Sequence, residues 1–182
     1  MKTVKQHIRN LTKEQFSTIK SYCKHSNALY NCALYIIKEH FTKTEEYIGY
    51  YKLYHQIKDN IHYKALPSKT AQQTLRLLNK NYSSFFALLK LKKTGKYNDP
   101  VNPPNYKKSK EEFILILPND QISLKNNILK ITKNIKIPFN YNIDGKIKQA
   151  IIKPKGKKYY EIFLQYEENL KEKPTLNKEN IL

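Results

Sequence analysis

The side chains in this chain best suited to chemistry lie at helical spacing between residues 68 and 93. They recur at steps of three and four, which places them along one face of a helix. The set comprises Lys69, Gln72, Gln73, Arg76, Asn79, Lys80 and Ser83. Amide and guanidinium groups make paired hydrogen bonds to base edges, and lysines contact phosphates. The pattern is consistent with contact with nucleic acid, and an ordinary solvated helix face explains it equally well.

Two further segments are rich in lysine and suit contact with nucleic acid. Tyr106, Lys107 and Lys108 follow a proline pair and join a ring to two cations, which suits a single strand or a phosphate backbone. The segment Lys153–Lys158 is a basic hairpin tip. An ordinary solvated loop explains the first segment equally well, and basic tips also keep sheet edges from aggregating.

The acidic residues do not predict a catalytic centre. Each aspartate stands beside Asn, Pro or Gly in a predicted turn, whereas a two-metal nuclease needs carboxylates that converge from regular elements. The aspartates are Asp59, Asp99, Asp120 and Asp144. Three adjacent glutamate pairs, Glu45-Glu46, Glu111-Glu112 and Glu167-Glu168, have side chains that diverge in direction. We predict that the chain is not an enzyme by itself.

Histidine and cysteine spacing predicts neither a metal site nor a cofactor site. His55 and His62 are seven positions apart and could share a helical face, but no cysteine or carboxylate stands at ligand spacing to them. The four glycines are scattered, so there is no phosphate-binding loop. Cys23 and Cys32, nine positions apart in one predicted helix, read as reduced thiols of a cytoplasmic protein, and no apolar run is long enough to span a membrane.

The charge balance indicates a large anionic partner. The 182 residues carry 34 Lys and Arg against 15 Asp and Glu, a formal charge of +19. Self-repulsion opposes compactness, and nucleic acid is the commonest reason for such an excess. Codon bias explains why arginine occurs only at Arg9 and Arg76, but it does not explain the shortage of carboxylates.

The elements that must position these residues change type along the chain. Residues 2–9 read as a strand, Thr12 and Gln15 as a capping box, and residues 13–41 as a helix. A shorter helix is expected between Thr44 and Ile61, and a long one from Ser68 to Gly95. Six short strands follow, with apolar residues at alternate positions. They are expected at 113–117, 122–124, 128–132, 135–137, 146–153 and 158–167.

This order predicts an α+β fold in which a helical bundle is inserted after the first strand of a small antiparallel β-barrel. Residues 1–10 and 111–168 would form the barrel and residues 11–97 the helical domain. Residues 98–110 would be a linker, and residues 169–182 a tail.

Several segments, in their order, resemble the N-terminal half of TnpB proteins, also called OrfB transposase accessory proteins. These are RNA-guided DNA nucleases of insertion sequences. The segments are Asn27–Tyr35 (NALYNCALY), Leu66–Gln73 (LPSKTAQQ), Asn81–Phe86 (NYSSFF), Pro103–Lys107 (PPNYK) and Gln165–Glu167 (QYE). The resemblance covers nearly the whole chain.

The resemblance implies a helical recognition domain inserted into a wedge-like barrel, which together hold a structured guide RNA and read a short motif in double-stranded DNA. By the family pattern, Gln72 and Lys69 would face that motif, assisted by Tyr50 and Asn119. The family continues into a nuclease domain, whose first acidic residue would come just after Leu182. We therefore expect a non-catalytic part of a TnpB-like protein. Alternatives are half of a split nuclease completed by a separately encoded domain, or an RNA-binding regulator or inert remnant of an insertion sequence.

Overall fold

Helices and antiparallel sheets make up the chain in a computed structural model that describes residues 1–109, 111–132, 135–156 and 159–169. The helices are α1 (Lys13–Thr44), α2 (Tyr50–Ile57), α3 (Ile61–Lys64) and α4 (Ser68–Lys93). The strands are β1 (Lys2–Ile8), β2 (Leu115–Pro118), β3 (Ile122–Lys125), β4 (Ile128–Ile131), β5 (Ile135–Pro138), β6 (Gly145–Lys155) and β7 (Tyr159–Glu168). A 3-10 turn, Asn119–Gln121, joins β2 to β3. The α+β prediction is confirmed.

The predicted start of each long helix is confirmed. The Thr12 hydroxyl accepts from the Gln15 amide at 3.1 Å and the Gln15 side chain accepts from the Thr12 amide at 3.1 Å, which forms the capping box. α1 ends at Thr44, three residues later than expected, because Glu45 takes a left-handed conformation with φ 58°. α4 begins at Ser68, and Gly95 follows its end with φ +70°, where a glycine is favoured.

The strands form two separate antiparallel sheets. The first has the order β1-β7-β6-β2 and the second the order β3-β4-β5. In chain order the helices lie between β1 and β2, which are the two edge strands of the first sheet. On the inner face of this sheet Val4 lies opposite Leu164, and Leu117 opposite Ala150.

The predicted closed barrel is wrong. Pro118 and Pro138 each end a strand, and a proline has no N–H to extend a ladder. Over the residues that the structure describes, β1 does not pair with the segment that follows β5. Hydrogen bonds of the Gln6 side chain connect the two instead. The Gln6 side-chain amide donates to the Pro138 carbonyl at 2.7 Å, and its oxygen accepts from the Asn140 backbone N–H at 2.8 Å.

One hydrophobic core extends across the helices and both sheets. Apolar residues of α4 recur at steps of four and three, a spacing that predicts a buried seam. Its members Ala71, Leu75, Leu78 and Tyr82 are buried, while Phe85 is half-buried. Inside this core the Ser26 hydroxyl donates to the Ile114 carbonyl at 2.9 Å and lies 3.1 Å from the Thr74 hydroxyl. These hydrogen bonds satisfy polar atoms that are buried in the core. They also connect α1, α4 and the chain entering β2.

Two histidines face each other between α1 and α3. The Nδ1 atoms of His25 and His62 are 3.1 Å apart, a distance that requires at least one ring to be neutral. His55 lies in α2, so the helical face that His55 and His62 were expected to share does not exist. Burial, and then the charge of His25, lower the pKa of His62.

This lowered pKa predicts that the protein becomes less stable in mild acid. The unfolded chain protonates His62 near its ordinary pKa of about 6.5, while the folded chain resists protonation. The contribution of His62 to stability is therefore complete above that value and is lost as the pH falls from it towards the lower pKa of the folded state. The measurement is the melting temperature as a function of pH. His62→Gln should flatten the acidic part of the curve, and His40→Gln, a control on α1, should not. An unchanged curve for His62→Gln would contradict the assignment.

Candidate nucleic-acid interface

Helix α4 carries six basic side chains and no acidic one. Its first turn holds Lys69, and no side chain caps its N-terminus. The exposed amides of that turn and the positive end of the helix dipole therefore add to the lysine charge. This end of the helix is electrostatically suited to an anion.

The polar stripe of α4 lies between the buried seam and solvent. Gln72, Gln73 and Asn79 are half-buried, whereas Lys69 and Arg76 are exposed. A half-buried side chain at such a position can contact the protein with one part and a binding partner with another.

Residues before α4 hold two members of the stripe. The guanidinium carbon of Arg76 lies 5.3 Å from the ring centroid of Tyr50. The Tyr47 hydroxyl donates to the side-chain oxygen of Asn79 at 3.0 Å. The structure thus brings two candidate residues together. Tyr50 was a candidate because of the resemblance to TnpB proteins, and Arg76 because of its helical spacing.

Gln72 also has an inner neighbour. The Tyr63 hydroxyl is buried close to Ser68 and Gln72. Burial raises the pKa of Tyr63, and the two neighbouring side chains partly offset that rise. Gln72 is therefore half-buried at the edge of the core, near the Tyr63 hydroxyl, which has no hydrogen-bond partner among the described residues.

The 3-10 turn lies beside the first turn of α4. The buried Thr70 hydroxyl donates to the Gln121 side-chain oxygen at 2.6 Å. Asn119 is exposed at the start of this turn. Lys69 and Asn119 are each within two residues of this hydrogen bond, so the fold places them in the same region.

Residues 106–109 and 111–114 follow one face of α1. The Asn31 side chain donates to the Lys107 carbonyl at 2.9 Å and accepts from the Lys107 amide at 2.8 Å, and Asn27 donates to the Lys108 carbonyl at 3.2 Å. The Phe113 amide donates to the Cys23 carbonyl at 3.0 Å. The predicted linker is therefore held in place at residues 107 and 108.

The side chains of this segment have different roles. The Lys107 ammonium lies 5.2 Å from the ring centroid of Tyr30 and 5.1 Å from that of Phe113, so it packs against the protein. Tyr106 is 46% exposed, with the Lys38 ammonium 4.4 Å from its ring centroid. The Lys108 side chain is 85% exposed and lies 3.9 Å from Glu111, a surface pair that contributes little.

The candidate residues therefore fall into two groups. We call Tyr50, Lys69, Gln72, Gln73, Arg76, Asn79 and Asn119 the α4 surface, and Tyr106, Lys107 and Lys108 the α1 strap. Within the described ranges, no hydrogen bond or ion pair connects the two groups. Lys153 and Lys155 lie elsewhere, on β6, and Lys157 and Lys158 of the basic hairpin tip are outside the described residues.

Sequence reasoning missed the residues that hold these groups. Tyr47 gave no signal, because nothing in its sequence context pairs it with Asn79. Asn27 and Asn31 do give a signal in the sequence. Two asparagines four positions apart on a buried helical face need hydrogen-bond partners, and a proline-rich segment with few internal hydrogen bonds can supply them.

Among the described residues, the carboxylate side chains do not converge on a shared site. Glu112 accepts from the Tyr160 hydroxyl at 2.6 Å, Glu167 pairs with Lys148 at 2.6 Å, and Glu168 pairs with Lys2 at 2.7 Å. The described part of the chain contains no group of three potential metal ligands. Cys23 and Cys32 are free thiols, as predicted, and burial raises the pKa of Cys23.

Comparisons with known proteins provide no relative. No protein-family model matches the chain, and no curated protein matches it. Among the described helices, none is long and apolar enough to cross a membrane.

The asparagine contacts predict how firmly the strap is held. Asn31→Ala removes three hydrogen bonds and leaves backbone groups of Lys107 unpaired, so unfolding free energy should fall by about 1–3 kcal/mol. Trypsin should then cleave faster after Lys107 and Lys108, which mass spectrometry of the fragments would detect. Asn105→Ala is the control, because Asn105 is exposed. Equal cleavage rates in the two variants would contradict this role for Asn31.

Proposed function

We propose that this chain binds nucleic acid without cutting it: double-stranded DNA at the α4 surface and structured RNA at the α1 strap. The observation that carries the proposal is the α4 helix, which presents amides, a guanidinium and lysines at helical spacing without a carboxylate. A solvated helix normally carries both signs of charge, since mixed charges stabilise a helix surface. The absence of acidic residues along the whole helix favours a polyanion over the solvated-face explanation.

Base edges are the proposed target of the half-buried amides. Gln72 and Gln73 are half-buried, and glutamine pairs with adenine in the major groove. Arg76 stacks on Tyr50, which orients its planar guanidinium for a guanine or a phosphate. Lys69 and Asn119 would hold the DNA backbone at the start of the helix.

The α1 strap suits RNA in a different way. Its backbone is fixed by Asn27 and Asn31, while the Tyr106 ring and the Lys108 ammonium remain accessible. An exposed ring beside a cation can stack on an unpaired base and contact its phosphate. The resemblance to TnpB proteins supports the same division of partners.

Selection from randomised duplex DNA tests the base-reading role. Wild-type protein should enrich a short motif, and Gln72→Ala should weaken binding to that motif by about 1–3 kcal/mol while leaving binding to scrambled DNA unchanged. Gln56→Ala, on the exposed face of α2, is the matched control. Equal weakening on all sequences would mean that Gln72 does not read bases.

Salt dependence tests the phosphate contacts. Lys69→Ala should lower the slope of log affinity against log salt by about one without changing the preferred motif. Lys125→Ala, which removes the same charge from β3, should leave the slope nearly unchanged. The slope is measured by fluorescence anisotropy across a salt series, and identical slopes for both variants would exclude Lys69 from the interface.

A further inference from the structure

A second basic site lies where the two sheets meet. The cleft between β1 and the segment leaving β5 has a volume of about 360 Å³ and is lined by residues from 5 to 10 and from 138 to 141. We call it the seam cleft. Its size is near the lower end of the range for small-molecule sites in proteins.

Hydrogen bonds fix the shape of the seam cleft. The two bonds of the Gln6 side chain, to Pro138 and Asn140, hold its walls together. Phe139 between them is buried, and its amide donates to the Asn127 carbonyl at 2.8 Å. The ring of Tyr141, 5.7 Å from that of Phe139, is 43% exposed at the rim. The cleft is therefore preformed, with an aromatic ring available to a ligand.

The charge at this cleft is positive. Alternation along β1 places Lys5 and His7 on the outer face of the sheet, and Arg9 continues the row. No carboxylate lines the seam cleft. The larger cleft beside the start of α1 instead carries Glu14 and Asp120 against Lys130, which does not suit an anion.

The nearest carboxylate is already neutralised. Glu161 is 3% exposed, and its oxygens lie 2.8 Å from Lys5, 3.7 Å from His7 and 3.7 Å from Lys155. One negative charge thus faces two lysines and a histidine, which leaves a positive surplus. Arg9 is exposed and, within the described residues, forms neither an ion pair nor a side-chain hydrogen bond. Its guanidinium is available for paired bonds to a phosphate.

From this arrangement we propose that the seam cleft binds one nucleotide of a single-stranded nucleic acid, with its phosphate on Arg9 and Lys5 and its base on the ring of Tyr141. A base inside a duplex cannot stack on a protein ring, so the site discriminates single strands from duplexes. The proposal rests on the proposed nucleic-acid function, but it concerns a surface separate from the α4 surface.

Anisotropy measurements with a labelled oligothymidylate, and with a duplex as comparison, test this site. Arg9→Gln and Tyr141→Leu should each weaken single-strand binding about tenfold and leave duplex binding nearly unchanged. The matched controls are Lys125→Gln, which removes the same charge, and Tyr35→Leu, which removes another exposed ring. Circular dichroism of each variant verifies that the fold is retained.

Each outcome has a defined meaning. Loss no greater than that of the controls overturns the seam cleft as a binding site, and an equal loss on the duplex overturns its assignment to single strands. Duplex binding that depends on Gln72, together with single-strand binding that does not depend on Arg9 or Tyr141, would leave the proposed function standing and remove only the cleft. Failure of the wild type to bind either nucleic acid at low salt would instead overturn the proposed function, and the cleft with it.

Discussion

The arrangement of the helices and the first sheet depends on one set of contacts, those of residues 107–108 and 113–114 along α1. Along this face of the helix, Asn31 and Asn27 bind the backbone at residues 107 and 108, the Cys23 carbonyl binds Phe113, and Ser26 binds the Ile114 carbonyl. The contacts recur at helical spacing, so a single rigid element sets the path of an extended one. Because β2 begins at the next residue, this path also determines where the chain enters the sheet and where α4 packs against it.

A consequence is that structural and binding charges occupy different places. The three glutamates of β7 are matched by lysines, and Glu161 is buried beneath three basic groups. On α4 no carboxylate offsets the cations. Repulsion between cations is therefore partly offset on β7 and is not offset on α4. The net charge of +19 is distributed in a way that is compatible with a stable core.

The sequence predicted the elements better than their connections. The capping box at Thr12, the seam of α4 and all six later strands follow from local patterns of spacing and turn residues, and each is present within a few positions. The barrel was wrong because closure depends on pairing between strands distant in sequence, which alternation alone does not specify. The Gln6 bonds, the His25–His62 contact and the Tyr47–Asn79 hydrogen bond each join residues more than 30 positions apart. Of the candidate site, the polar residues of α4 could be predicted from their periodic spacing. The seam cleft could not, because its two walls come from residues more than 120 positions apart.

The pairing of β1 with β7 has a consequence for how the protein forms. Lys2–Ile8 is the first strand to be synthesised, yet its partner is the last strand described. The contacts of the helices are closer in sequence, so the helices and the strap can assemble while β1 still has no partner. Sheet completion is then the final step, and until it occurs β1 is an unpaired strand able to bind another chain. The alternating lysines and histidine of β1 oppose such pairing, so the residues that line the seam cleft also protect the nascent chain from aggregation.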